Sequence, residues 1–149
     1  MYFVGLVVFI AFLVCSTMFS GTPASFVDLP SIIVIMTFSI PMLMASGLLT
    51  DFIRGFKVMG QKVNTWSLLE LKKTEVALRL MTKLILLSGS LGSLIGVVSI
   101  MSNLSDVSKI GPNLAIALLT LLYSILFIFI LLPVQAKVKA IILTMDKEC

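Results

Sequence analysis

The sequence predicts an all-α, polytopic membrane protein with four transmembrane helices, and three observations carry that prediction. The first is composition. Of 149 residues, 59% are hydrophobic and only 12% charged, with a mean hydropathy of +1.17. Soluble domains carry about 25% charged residues, so the charge present here cannot cover a globule. The second is the spacing of those charges. No Asp, Glu, Lys or Arg occurs in 1–27, 29–50, 84–105 or 110–136, and each stretch holds at least 22 residues. About 20 helical residues cross a ~30 Å hydrocarbon core. The third is the lack of strict polar–apolar alternation, which removes a barrel and leaves helices to satisfy the backbone in lipid.

The spans fall near 2–20, 31–50, 84–103 and 113–132. The first is apolar almost all round, with only Gly5, Cys15, Ser16 and Thr17 as small or polar members. It has no basic n-region, and its apolar run is too long for a typical removable signal. The second opens at Asp28-Leu29-Pro30-Ser31, a capping side chain followed by a proline in the first turn. Pro41 inside it predicts a local kink.

Residues 51–83 form a connection between the second and third spans. Within it, Ser67-Leu68-Leu69-Glu70 has the form of a capping box. An amphipathic helix over 67–83 is expected to run into the third span, with Glu75 and Arg79 paired at i,i+4. Arg54, Lys72, Lys73, Glu75 and Arg79 are the candidate contact surface for a cytoplasmic partner. The alternative is a helical extension snorkelling at the lipid surface. The fourth span opens at Gly111-Pro112-Asn113 and is followed by a tail, 133–149, that begins at Pro133, a candidate hinge.

Ten of the eleven basic residues fall in 51–83 and 133–149; the exception is Lys109. The positive-inside rule makes those segments and both termini cytoplasmic and the two short connections external. The net charge of +4 is therefore a topology signal and gives no reason to expect nucleic acid. Two distant cysteines and no histidine point to no disulfide, metal site or cofactor. No catalytic constellation is present, so an enzyme is not expected.

The third and fourth spans differ in kind from the first. Ser88, Gly89, Gly92, Ser93, Gly96, Ser99 and Asn103 recur at spacings of three and four, and so do Asn113, Ala117, Thr120 and Ser124. Such stripes let helix backbones approach closely in lipid, and Gly89, Gly92 and Gly96 suit that role. Ser93, Asn113, Ala117, Thr120 and Ser124 are candidates to line an ion path or to face a partner. Packing alone is the competing explanation. No carboxylate, Lys, Arg or His lies inside any span, although carrying a proton or cation across a bilayer usually uses such a group. Any such carboxylate would have to come from another polypeptide. A structural oligomeric scaffold without ion flux, or less favourably a small-molecule transporter, remains open.

Gly92-Ser93-Leu94-Ile95-Gly96-Val97-Val98 resembles the third-helix G-T-V-x-G segment of the MotA/TolQ/ExbB proton-channel family. Ala115-Ile116-Ala117-Leu118-Leu119-Thr120-Leu121-Leu122-Tyr123-Ser124 is similar to its fourth-helix A-x-A-L-x-T-T-L-Y-G stretch, and Pro133 to the proline that ends it. Gly21-Thr22-Pro23 and Phe26-Val27-Asp28-Leu29-Pro30-Ser31-Ile32-Ile33-Val34 resemble the opening of the motility protein A branch. The resemblance implies a ring subunit, a homopentamer in the bacterial cytoplasmic (inner) membrane. The ring would surround a single-span MotB/ExbD/TolR-like partner whose aspartate carries H+ or Na+ and would work as a stator-like motor for motility or other mechanical work. Ser93 and Thr120 would take threonine positions beside that aspartate. Leu121 stands where the family has a second threonine, which favours protons. Only about 33 residues, 51–83, occupy the place of the flagellar stators' long cytoplasmic domain.

Overall fold

A computed structural model describes residues 2–20, 26–60, 66–102 and 107–148. The described residues form five α-helices and no strand: α1 (Tyr2–Ser20), α2 (Leu29–Ala45), α3 (Leu49–Gly60), α4 (Leu68–Ser102) and α5 (Val107–Glu148). Gly21-Thr22-Pro23, Lys62, Asn103 and the side chain of Lys109 lie outside the described residues.

Local chemistry sets the helix ends. Asp28 caps α2: its carboxylate accepts from the Ser31 backbone N–H at 3.3 Å, and Pro30 sits in the first turn, where a missing N–H costs nothing. The apolar run 31–50 is not one straight helix, because α2 stops at Ala45. Ser46 N–H donates to Met42 O at 3.2 Å and Gly47 N–H to Met44 O at 2.9 Å. Gly47 takes φ +70, a left-handed conformation that a residue without Cβ adopts freely. The chain then leaves as α3, bent by 107° from α2. Hydropathy is blind to this elbow, since Ser46, Gly47 and Leu48 keep the run charge-free.

α4 opens on the capping box. Ser67 N–H donates to Glu70 Oε2 at 3.0 Å, and Glu70 N–H donates to Ser67 Oγ at 3.3 Å. The Ser67 backbone bond, then the Ser67 hydroxyl, hold the Glu70 carboxyl below its ordinary value of 4.5. From there α4 runs 35 residues without interruption, about 52 Å at 1.5 Å per residue. The segment 67–83 and the apolar 84–102 are thus one rod. α5 is longer still, 42 residues. It begins five residues before Pro112 and stays helical through Pro133, so residues 113–132 and most of the following tail share one helix. Pro41 is likewise inside continuous helix.

Two helices, Leu68–Ser102 and Ile110–Lys147, are long and apolar enough to cross a membrane, and a third if the bent α2–α3 pair forms one span. α1 contributes a shorter apolar helix, Val4–Phe19. Its side chains are mostly exposed, and Phe9 meets Phe129 of α5 with ring centroids 5.5 Å apart.

α4 and α5 lie antiparallel: Gly96 faces Ala117, Gly89 faces Ser124, and Lys72 Nζ reaches Asp146 at 3.3 Å. α2 runs antiparallel to α4, with Val34 beside Gly92 and Ser39 bonded to Ser88 at 2.9 Å. The charged ends of α4 and α5 therefore lie side by side, with α3 against them. Gly55 of α3 sits over Leu78, where a Cβ would come within 3.1 Å, and Lys137 Nζ donates to Met59 O at 3.1 Å. Most of the large aliphatic core is at this charged end, in Val58, Leu71, Leu78, Met81, Val134, Val138, Ile141 and Ile142, and it continues into the charge-free runs through Ile35, Leu43, Ile85 and Leu131.

Candidate functional site: a hydroxyl-lined seam and groove

Toward the charge-free end the packing changes character. Each glycine of the α4 stripe meets one small residue of the α5 stripe. A Cβ on Gly89 would collide with the Ser124 side chain, one on Gly92 would lie 2.8 Å from Thr120 Cγ2, and one on Gly96 would lie 2.7 Å from Ala117 Cβ. The helices approach closely only because no Cβ is there, and Ala117, Thr120 and Ser124 are buried as a result. Ser124 Oγ donates to its own helix at Leu121 O, 2.7 Å away.

The seam opens on one side into a groove of about 250 Å³ between α2, α4 and α5, lined by Ser31, Val34, Gly92, Gly96, Ser99, Ala117 and Thr120 among others. Its polar lining is Ser99, Ser31 and Thr120, and the last two continue to Asp28 as a chain of three side chains. Thr120 Oγ1 lies 2.9 Å from Ser31 Oγ, and Ser31 Oγ–H donates to the Asp28 carboxylate. The Ser31 proton is committed to Asp28, so the Ser31 oxygen accepts from Thr120, whose hydroxyl is shared with Ile116 O at 3.1 Å. The direction of donation thus runs from the buried threonine outward to the carboxylate. Tyr123 fixes that carboxylate's segment: its hydroxyl donates to Phe26 O at 2.5 Å and accepts from Asp28 N–H at 3.1 Å.

Of the sequence candidates, the structure brings together Gly89, Gly92, Gly96, Ala117, Thr120 and Ser124. Ser93 is half-buried on α4 and does not line the groove; Asn113 is exposed on α5. The charged candidates form separate local pairs. Arg54 bonds Asp51 at 2.5 Å and lies 3.8 Å from Glu70, Lys72 pairs with Asp146, and Arg79 with Glu75 at 2.7 Å. Lys73 is exposed beside them. Sequence reasoning saw Asp28 only as a cap and missed Ser31 and Tyr123. Their contacts to α5 span 89 to 97 residues of chain, a separation that no local pattern encodes. Among the described residues no cluster of three or more His, Cys, Asp or Glu side chains is placed to hold a metal.

Fold and composition together define an all-helical protein whose apolar helices suit a membrane. Comparison with known proteins adds one partial match. A 52-residue segment, 34% of the chain, is 46% identical to Uncharacterized protein YtxD of Bacillus subtilis (strain 168) and covers 19% of that protein. The match thus spans about a fifth of the relative's length. No family model matches the chain.

Proposed function

We propose that the chain is a ring-forming subunit of an ion-driven, stator-like rotary motor that surrounds an acid-bearing single-span partner and uses proton flux to do mechanical work. The observation that carries the reading is spatial. Three segments that resemble the MotA/TolQ/ExbB family, at 26–34, 92–98 and 115–124, contribute Ser31, Gly92, Gly96, Ala117 and Thr120 to one groove. The chain's own acid near the groove, Asp28, is held at the N-cap of α2 by its bonds to Ser31, and the charge-free stretches offer no other. On the motor reading the partner supplies the ion-carrying carboxylate, and the groove offers hydroxyls beside which it can sit. In this reading all four apolar segments cross a bacterial inner membrane, the termini and the basic segments are cytoplasmic, and α4 and α5 form the inner wall of a pentamer.

A second reading is a structural scaffold without ion flux. One observation favours it: Thr120 and Ser124 are already buried within the chain, between its own helices. Thr120→Val separates the two. Valine keeps both branches packed against Gly92 and removes only the hydroxyl. On the motor reading, assembly is retained and ion-dependent work falls by at least tenfold. Unchanged work returns Thr120 to packing.

A further inference from the structure

We propose that the α2–α3 elbow carries a binding site for the phosphodiester headgroup of an anionic membrane lipid. The inference rests on α3 and Trp66, at the charged end of the molecule, and stands apart from the motor reading. α3 turns 107° away from α2, so it runs across the helix bundle. It buries Asp51, Gly55 and Val58 on one side. Outward it presents a mixture of apolar Ile53 and Phe56 with basic Lys57. A short helix with apolar and basic exposed residues lies naturally in the headgroup layer.

A cleft of about 340 Å³ lies beside it, lined by Thr50, Ile53, Arg54, Lys57 and Trp66. Three features of the cleft call for an anion. Lys57 makes no ion pair among the described residues. Among the described residues the buried Trp66 Nε1–H has no hydrogen-bond partner, and a buried donor of that kind normally finds an acceptor. The Arg54 guanidinium stacks 5.5 Å from the centre of the Trp66 ring, which fixes the indole beside the cation. Asp51 and Glu70 neutralise Arg54, so Lys57 supplies the uncompensated charge. Phosphate oxygens would accept from Lys57, from the Thr50 hydroxyl and from the indole. Ile53 would meet the glycerol backbone, and the acyl chains would follow the exposed apolar flank of Phe56. A lipid rather than a free anion is favoured because apolar and basic groups share one exposed face.

The test uses the full chain in nanodiscs of phosphatidylglycerol mixed with phosphatidylcholine, followed by native mass spectrometry of retained lipid. The wild type is expected to retain phosphatidylglycerol in preference to phosphatidylcholine, and excess inorganic phosphate leaves it bound. Lys57→Gln is expected to lower retention about fivefold, in line with ~1 kcal/mol per basic residue at a membrane surface. Trp66→Phe, which keeps an aromatic ring and removes the N–H, also lowers it. Equal retention of both lipids, displacement by inorganic phosphate, or full retention by both variants would overturn the proposal.

Discussion

The two ends of the α4–α5 pair are held together by opposite means. At the charged end, Leu71, Leu78, Met81, Val134, Val138, Ile141 and Ile142 bury large aliphatic side chains. At the charge-free end, contact is made by Gly89, Gly92 and Gly96 against Ser124, Thr120 and Ala117. Two side-chain hydroxyl pairs, Ser39–Ser88 and Ser31–Thr120, join α2 to the α4–α5 pair. One chain thus changes its packing rule along one helix. In the proposed reading, a membrane around the apolar end accounts for the change. Where the alternative to a contact is water, burial of apolar surface drives association. Where it is lipid, that drive is absent, and close backbone approach with interhelical hydrogen bonds takes over.

The comparison can be broken by truncating large side chains at each end. Leu78→Ala removes a fully buried side chain from the aliphatic core and should cost about 2–5 kcal/mol, seen as a large fall in melting temperature in detergent. Leu94→Ala, on the exposed face of the apolar segment, should barely move it. An equally large loss would show that large apolar side chains, and not only the small-residue seam, hold the apolar end. The seam is tested next. Gly89→Ala places a methyl against Ser124 and should cost roughly 1–3 kcal/mol. A neutral result would mean that α4 and α5 are further apart than the seam requires.

Smaller effects sharpen the picture. Ser39→Ala and Ser88→Ala remove one bond between buried hydroxyls, and a double-mutant cycle should give a coupling of about 0.6 kcal/mol. The smallest expected change is at the capping box. The Ser67 bonds lower the Glu70 pKa in the folded protein. The stabilisation is therefore present above the ordinary glutamate value and is lost as pH falls through the lowered one. Melting temperature measured between about pH 6 and pH 3 should show a Glu70-dependent decline on the acid side. Glu70→Gln keeps an acceptor but cannot titrate there, so that component should vanish; an unchanged decline would place its source elsewhere.

How much of this was legible in the sequence varies with the range of the interaction. The helices of the apolar segments follow from charge-free runs, and the partners in the seam follow from residues repeating every three or four positions on one helix face. The capping box and the Asp28 cap are local, and both were readable from residues three apart. The elbow was not, because Gly47 is needed for its backbone angle and not for its hydropathy. The continuity of α4 and α5 was also hidden. Charge marks where a helix leaves an apolar layer, not where its hydrogen bonds stop. The groove needed coordinates, since Asp28, Ser31 and Tyr123 meet only when chain ends nearly a hundred residues apart are brought together.

The central claim, a ring of these subunits closed around a partner's carboxylate, is tested most directly by the mass of the complex purified gently from membranes. The account predicts a closed ring of five copies holding a second, single-span polypeptide with an aspartate in its span. A dimer, or any assembly that contains this chain alone, would contradict it.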